Sequence, residues 1–270
     1  MVKIHAMSDV SKDAIIGEGT EIGPFCVIGP KVKIGKNNKI HSNVVITGRT
    51  TIGDNNEIFQ FASIGEDPQD LKFNGEDSEL IIGNNNKIRE YVTIHKGTET
   101  GIMKTQVGNN NLLMGCCHLA HDVVMGDNNI LANNSMLAGH VIVGSHVIIS
   151  GLSGTHQFTR LGDGCFISGG SMISRDIAPF CYAQGDRAGL VGINQIGLIR
   201  AGVSKENVMK IRKLYRKVFL GDGHFKDRIA ELKADPEYDF DLGKIFLDFL
   251  SEDSIRGFTL ARKNANPMDE

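Results

Sequence analysis

Residues 107–149 read VGNNNLLMGCCHLAHDVVMGDNNILANNSMLAGHVIVGSHVII. Aliphatic residues or methionine fall on every sixth position: Val107, Leu113, Leu119, Met125, Leu131, Leu137, Val143 and Ile149. Glycine follows at Gly108, Gly126 and Gly144, eighteen residues apart. An α-helix repeats every ~3.6 residues and a strand every ~2, so neither explains the pattern. It predicts a solenoid of triangular coils, three hexads to a coil. Residues eighteen apart then stack at the ~4.8 Å spacing of hydrogen-bonded strands.

The same frame extends both ways. Upstream it runs Ile16, Ile22, Ile28, Ile34, Ile40, Ile46, Ile52, Ile58 and Ile64, then Ile82, Ile88 and Ile94. Downstream it continues at Leu161, Ile167 and Ile173 and ends at Pro179. Two interruptions stand out. The frame positions between Ile64 and Ile82 are Asp70 and Glu76. Acidic side chains cannot fill an apolar tube, so residues 66–81 are expected to leave as an external loop. The step from Ile94 to Val107 is thirteen, which predicts a second excursion over 95–106. Loops on a rigid scaffold are common binding elements.

Beyond the period, Ser204–Leu220 reads as an amphipathic helix, with Ser204 as its N-cap and Val208, Ile211, Leu214, Tyr215 and Val218 on one face. Phe225–Leu232 and Leu242–Leu250 are further expected helices, and the tail from Arg262 is polar. A helical cap would cover the open edge of the solenoid. The expected fold is mainly β: a left-handed parallel β-helix over 1–190 and a C-terminal α-helical domain over 191–270.

Charge and composition narrow the function. Lys and Arg total 29 against 32 Asp and Glu, net −3, which speaks against a nucleic-acid partner. No run of eighteen apolar residues is present, so no membrane span is expected. The start, Met1 to His5, lacks the apolar core of a secretion signal. Five cysteines are an odd number, and Cys26, Cys117 and Cys165 each lie two residues before a repeat position. They read as reduced packing residues of a cytoplasmic protein.

The residue just before each repeat position should point outward. Early in the chain it is often polar: Glu21, Lys33, Lys39, Thr51, Glu57 and Ser63. In the middle it becomes Leu112, His118, Val124, Ile130, Met136, Ile142 and Ile148. An apolar stripe of that size needs cover. Packing as a homotrimer is the simplest cover, and the chain's own helices are the other. His118, the polar intruder, is expected at a subunit boundary.

The eighteen-residue rule also stacks His121 with Gly139 and Gln157, Asp122 with His140 and Phe158, and Ala120 with Ala138 and His156. Three histidines, an aspartate and a glutamine thus share one corner, with His118 nearby. General acid–base chemistry is one use, because imidazole exchanges a proton near pH ~6.5. Zinc bound by three histidines between subunits is another, though Gln157 is a poor ligand and no cysteine completes the set. Gly139 favours the first, since its bare backbone N–H could face an oxyanion. Gly151 and Gly169, also eighteen apart, suggest a groove for a long acyl chain.

Several segments together resemble the family of UDP-N-acetylglucosamine O-acyltransferases that begin lipid A synthesis. They are Gln60–Gly65, Gln69–Lys72, Ile88–Glu90, Asn111–Met114, His118–Asp122, Ile130–Asn134, Leu137–His140, His156–Phe158 and Ala183–Gly185. The resemblance implies transfer of a 3-hydroxyacyl group from acyl carrier protein to the sugar of UDP-N-acetylglucosamine. It implies no cofactor beyond the carrier's own phosphopantetheine. His121 would be the general base, Asp122 would orient it, and the Gly139 N–H would hold the oxyanion. Gln69, Asp70 and Lys72 would grip sugar and phosphates, and His140 and His156 would steady the pocket. Asn194 and Arg200 would bind the nucleotide or the acyl end, and Gly169 would measure acyl length. His118, Gln157, Gly151 and Arg187 complete the expected substrate-binding set. Three positions depart from the family pattern: Ile196 for an acidic residue, Ala201 for an arginine and Arg187 for a histidine. The acidic carrier would meet the basic run Arg200, Lys205, Lys210, Arg212, Lys213, Arg216 and Lys217. A related UDP-sugar N-acyltransferase is the runner-up, but its family sets a globular domain before the repeats, which here begin near residue 4; a zinc-dependent trimeric β-helix hydratase is the alternative from a different class.

Overall fold

The computed structural model describes residues 1–262. Short strands stack into three parallel sheets, here called A, B and C, of eleven, nine and eight strands. Strand order advances by three, as a three-sided solenoid requires, until the last two strands of sheet A. Leu112 pairs with Ile130, Ile130 with Ile148 and Ile148 with Phe166, each eighteen residues on. The frame residues line the tube: Ile46, Ile58, Ile88, Leu113, Leu131 and Ile149 are all fully buried. Cys26, Cys117 and Cys165 fill the small inward positions, 0–1% exposed.

The corners explain the composition. Asn37, Asn55, Asn85, Asn110 and Asn128 adopt φ of 55–59°, the left-handed region that asparagine tolerates. Beside them Asn38, Asn56, Asn86, Asn111 and Asn129 form a buried ladder, each side-chain oxygen accepting the backbone N–H of the next coil at 2.7–2.9 Å. The ladder satisfies polar groups that water cannot reach.

Both loops are shorter than expected. Strands run Ser63–Glu66 and Glu79–Ile82, leaving 67–78 outside. Ile58 pairs with Ile88, thirty residues on rather than eighteen. The boundary moves because Leu80, two before the frame residue Ile82, is fully buried. Likewise strands Thr93–His95 and Lys104–Val107 confine the second excursion to 96–103.

The solenoid also outlasts its period. Cys181–Gln184 stacks on sheet A, and Gly189–Ile193 folds back antiparallel to it. Four helices follow: α1 (Gln195–Arg200), α2 (Lys205–Leu220), α3 (Phe225–Ala234) and α4 (Asp241–Ser251). Ser204 caps α2 by accepting from the Asn207 N–H at 3.2 Å, and the five apolar residues named for this helix are buried. Helix α1 was not expected, being only six residues long. The polar tail lies, from residue 263, outside the described residues.

The apolar outward positions do not form one stripe. Leu112, Ile130 and Ile148 lie on sheet A, His118 and Met136 on sheet B, and Val124 and Ile142 on sheet C. Six is one third of eighteen, so consecutive hexads occupy different faces. The helices overhang the end of sheet A, leaving a half-open cavity of 730 Å³ between Ile130, Ile148 and Phe166 and the residues Leu198, Leu242 and Ile245. Sheet B keeps Met136 and Met172 about half exposed.

Arg160 fastens the helices to the prism. Its guanidinium donates to Asp176 at 2.7 Å and to Glu252 at 2.6 Å, and lies 4.6 Å from the centre of the Phe249 ring. Asp176 is buried, so losing its partner strands a charge. The Arg160→Met variant should lose about 3 kcal/mol of stability, read as a lower urea midpoint.

Candidate active site

The stacked corner between sheets B and C holds the histidine cluster. Asp122, His140 and Phe158 sit over one another at φ of 59–65°. In an extended strand, neighbouring side chains diverge. The left-handed turn at Asp122 brings His121 and Asp122 to the same side, with His121 Nδ1 2.9 Å from Asp122 Oδ2. Both residues are buried. His140 meets the His121 ring edge-on at 4.9 Å and stacks flat on Phe158 at 4.4 Å. Gly139 makes this possible. A Cβ there would stand 2.5 Å from His121 Cε1, so the glycine clears room for the imidazole.

The loop 67–78 closes over the other side of the ring. Asp70 Oδ2 lies 3.9 Å from His121 Nε2. Gln69 and Lys72 are exposed on the same loop. Asp70 also accepts the Lys72 backbone N–H at 3.0 Å, which shapes the turn.

Burial tends to raise the Asp122 carboxyl, but hydrogen bonds from His121, from the Thr98 side chain and from the backbone N–H groups of Thr98 and Ile102 hold it below the usual carboxylate range. Burial pushes His140 and His118 down, so both stay neutral more readily than free imidazole.

His118 lies on the outer face of sheet B, its Nδ1 2.7 Å from Thr93 Oγ1. Beside it is a residue the sequence reading passed over. His95 packs edge-on to His118 at 4.8 Å, is 5% exposed, and is pushed down to about 4 by burial. The eighteen-residue step fails across the second loop, where Thr93 pairs with His118 at a step of twenty-five. Counting back twenty-five from Ala120, beside His121, would have placed His95 beside the cluster.

The other expected residues are dispersed. His156 and Gln157 are exposed on the same corner, with His156 Nδ1 3.2 Å from the Gln157 carbonyl oxygen. Gly151 and Gly169 stack at the corner between sheets A and B, across sheet B from His121. Space above Gly169 is open: a Cβ there would come no nearer than 3.5 Å to Gly151 O. Arg187 is exposed on the turn of the final hairpin. Arg200 is exposed at the end of α1, on the rim of the half-open cavity. Asn194 has a structural duty. Its Oδ1 accepts from the Gly197 N–H at 3.0 Å, capping α1, and its Nδ2 donates to Gly164 O at 2.9 Å. One N–H and one lone pair of the amide remain for a ligand.

His121, Asp122 and His140 offer three possible metal-binding atoms within 4.8 Å of one another. The carboxylate is a poor candidate. Both Asp122 oxygens already accept hydrogen bonds, from Thr98, Ile102 and His121. The set suits proton transfer better than zinc.

The chain as a whole is similar to known proteins. A family model described as Udp N-acetylglucosamine O-acyltransferase, domain 2, matches residues 176–259, and one described as bacterial transferase hexapeptide (six repeats) matches 104–139. The chain is 50% identical over 235 residues to the acyl-(acyl-carrier-protein)–UDP-N-acetylglucosamine O-acyltransferase of Myxococcus xanthus (strain DK1622), covering 87% of this chain and 91% of that one. The Rhizobium johnstonii protein of the same name is 40% identical over 258 residues, 95% of this chain and 94% of its own. Among solved structures, LpxA from Acinetobacter baumannii has a TM-score of 0.92 at 42% identity, covering 95% of this chain and 99% of that chain. The UDP-N-acetylglucosamine acyltransferase of Campylobacter jejuni has a TM-score of 0.90 at 36% identity, covering 96% and 100%. With its left-handed parallel β-helix and its helical cap, the chain belongs to the UDP-N-acetylglucosamine O-acyltransferase family.

Proposed function

We propose that the protein moves a 3-hydroxyacyl group from acyl carrier protein to the 3-position of the sugar of UDP-N-acetylglucosamine, the first step of lipid A biosynthesis. The observation that carries the mechanism is the buried pair of His121 and Asp122, 2.9 Å apart. His121 donates its Nδ1–H to the carboxylate, which leaves Nε2 with a free lone pair. Nε2 takes the proton of the sugar hydroxyl as that oxygen attacks the thioester carbonyl. The resulting oxyanion is held by the Gly139 N–H, which makes no hydrogen bond among the described residues. Collapse expels the phosphopantetheine thiolate, which recovers the proton from His121. Asp70 faces Nε2 and is suited to hold the sugar there.

The working unit is a homotrimer in the cytoplasm. Two features support the trimer: the exposed methionines of sheet B, and a glycine groove on the opposite edge of that sheet from the base. A rotational assembly would cover the first and set one copy's groove beside another's histidines. No helix among the described residues is long and apolar enough to cross a membrane. Gly151 and Gly169 leave space for the acyl chain.

The carrier protein is expected to dock on α2. Lys210, Lys213 and Lys217 are engaged with Glu206, Glu237 and Asp235. Lys205, Arg212 and Arg216 form no ion pair among the described residues, and they share one exposed stripe with Met209 and Leu220. Unpaired cations around apolar side chains suit an acidic helical partner.

Two experiments check these roles. His121→Ala should keep the trimer by analytical ultracentrifugation while kcat falls by about 10² or more; retained turnover would reject His121 as base. The double variant Arg212→Glu, Arg216→Glu should raise KM for the carrier-bound donor on the order of tenfold. Turnover of a small acyl-pantetheine thioester should be unchanged, and an equal loss with both donors would contradict docking.

A further inference from the structure

The second loop, 96–103, reaches the site through the Asp122 carboxylate. Thr98 is 1% exposed, and its Oγ1 donates to Asp122 Oδ2 at 2.6 Å. The Thr98 backbone N–H lies 3.2 Å from Oδ1 and 3.1 Å from Oδ2. Ile102 N–H donates to Oδ1 at 2.9 Å, and the Asp122 N–H donates to Thr105 Oγ1 at 2.8 Å. Between Thr98 and Ile102 the loop passes so close that a Cβ on Gly101 would overlap the carboxylate. The chain has spent a seven-residue insertion on wrapping one aspartate, since the coil step here is twenty-five rather than eighteen.

The reason lies in what else the carboxylate could reach. Asp122 Oδ2 is 2.9 Å from His121 Nδ1 and 3.9 Å from His140 Nδ1. A modest rotation would exchange one imidazole for the other. The orientation that the loop enforces is the one that serves His121. We infer that Thr98, with Ile102, is a positioning residue that commits Asp122 to His121, and so selects which of two neighbouring histidines is the base. This rests on the reading of His121 as the base. Its chemical consequence is a single tautomer: with Nδ1–H held by the carboxylate, Nε2 is left bare toward the substrate.

Thr98→Val removes the hydroxyl donor and preserves the shape and the backbone donor. We expect kcat to fall on the order of tenfold, with KM for both substrates within about twofold of the parent, because Thr98 faces the protein interior. Thr98→Ser, which restores the hydroxyl, should recover most of the rate. The ¹⁵N shifts of His121 should report one Nδ1–H tautomer in the parent and a mixture in the valine variant. Gly101→Ala, which displaces the carboxylate by another route, should reproduce the kcat loss if the valine variant fails to fold. A valine variant at full speed beside an inactive His121→Ala would overturn the positioning role and leave the base intact. A serine variant as slow as valine, or a loss carried mainly in KM, would also overturn it. Full activity of His121→Ala would remove the premise instead.

Discussion

The whole molecule depends on hexads lying over one another. One aliphatic side chain per six residues points into the tube, and one tight corner follows it. The corner is cheap where asparagine or glycine takes the left-handed conformation, and costs about 1 kcal/mol or more where another residue must do so. Asp122, His140 and Phe158 sit at such corners in three successive coils. Their strain is tolerated because the coils above and below fix them through backbone hydrogen bonds, as from His140 N–H to His121 O and from Phe158 N–H to Gly139 O. A rigid ladder therefore holds a reactive pair in a geometry that a free chain would not keep. The proposed active centre is a corner of the scaffold with unusual side chains, rather than an addition to it.

Much of this was legible in the sequence because the period is exact over long runs. Eighteen-residue arithmetic paired Leu112 with Ile130 and His121 with Gly139, and a conventional capping pattern marked α2 from Ser204. The arithmetic failed where the coil was interrupted. His95 was missed because seven extra residues separate its coil from that of His118. The loop boundaries drifted because Leu80, an apolar residue off the main frame, is what re-enters the tube. The apolar outward residues looked like one stripe because a linear reading does not send consecutive hexads to different faces.

Side-chain commitments were the least legible feature. Asn194 matched the family pattern, but its amide is divided between capping α1 and holding Gly164. Thr98 matched nothing in the sequence reading, yet it makes the shortest contact to the Asp122 carboxylate. Both are decided by contacts between segments far apart in the chain, which periodicity does not encode. The basic character of α2 was plain, whereas the pairing of Lys213 and Lys217 required the neighbouring turn at Asp235 and Glu237.

The central claim is that this corner presents His121 Nε2 to the acceptor hydroxyl. A crystal structure of the protein with UDP-N-acetylglucosamine bound tests it most directly. The account predicts the sugar 3-hydroxyl oxygen within hydrogen-bonding distance of Nε2, about 2.6–3.2 Å, with Asp122 still on Nδ1. A sugar seated with that hydroxyl beyond reach of Nε2, or turned toward His140 instead, would contradict it.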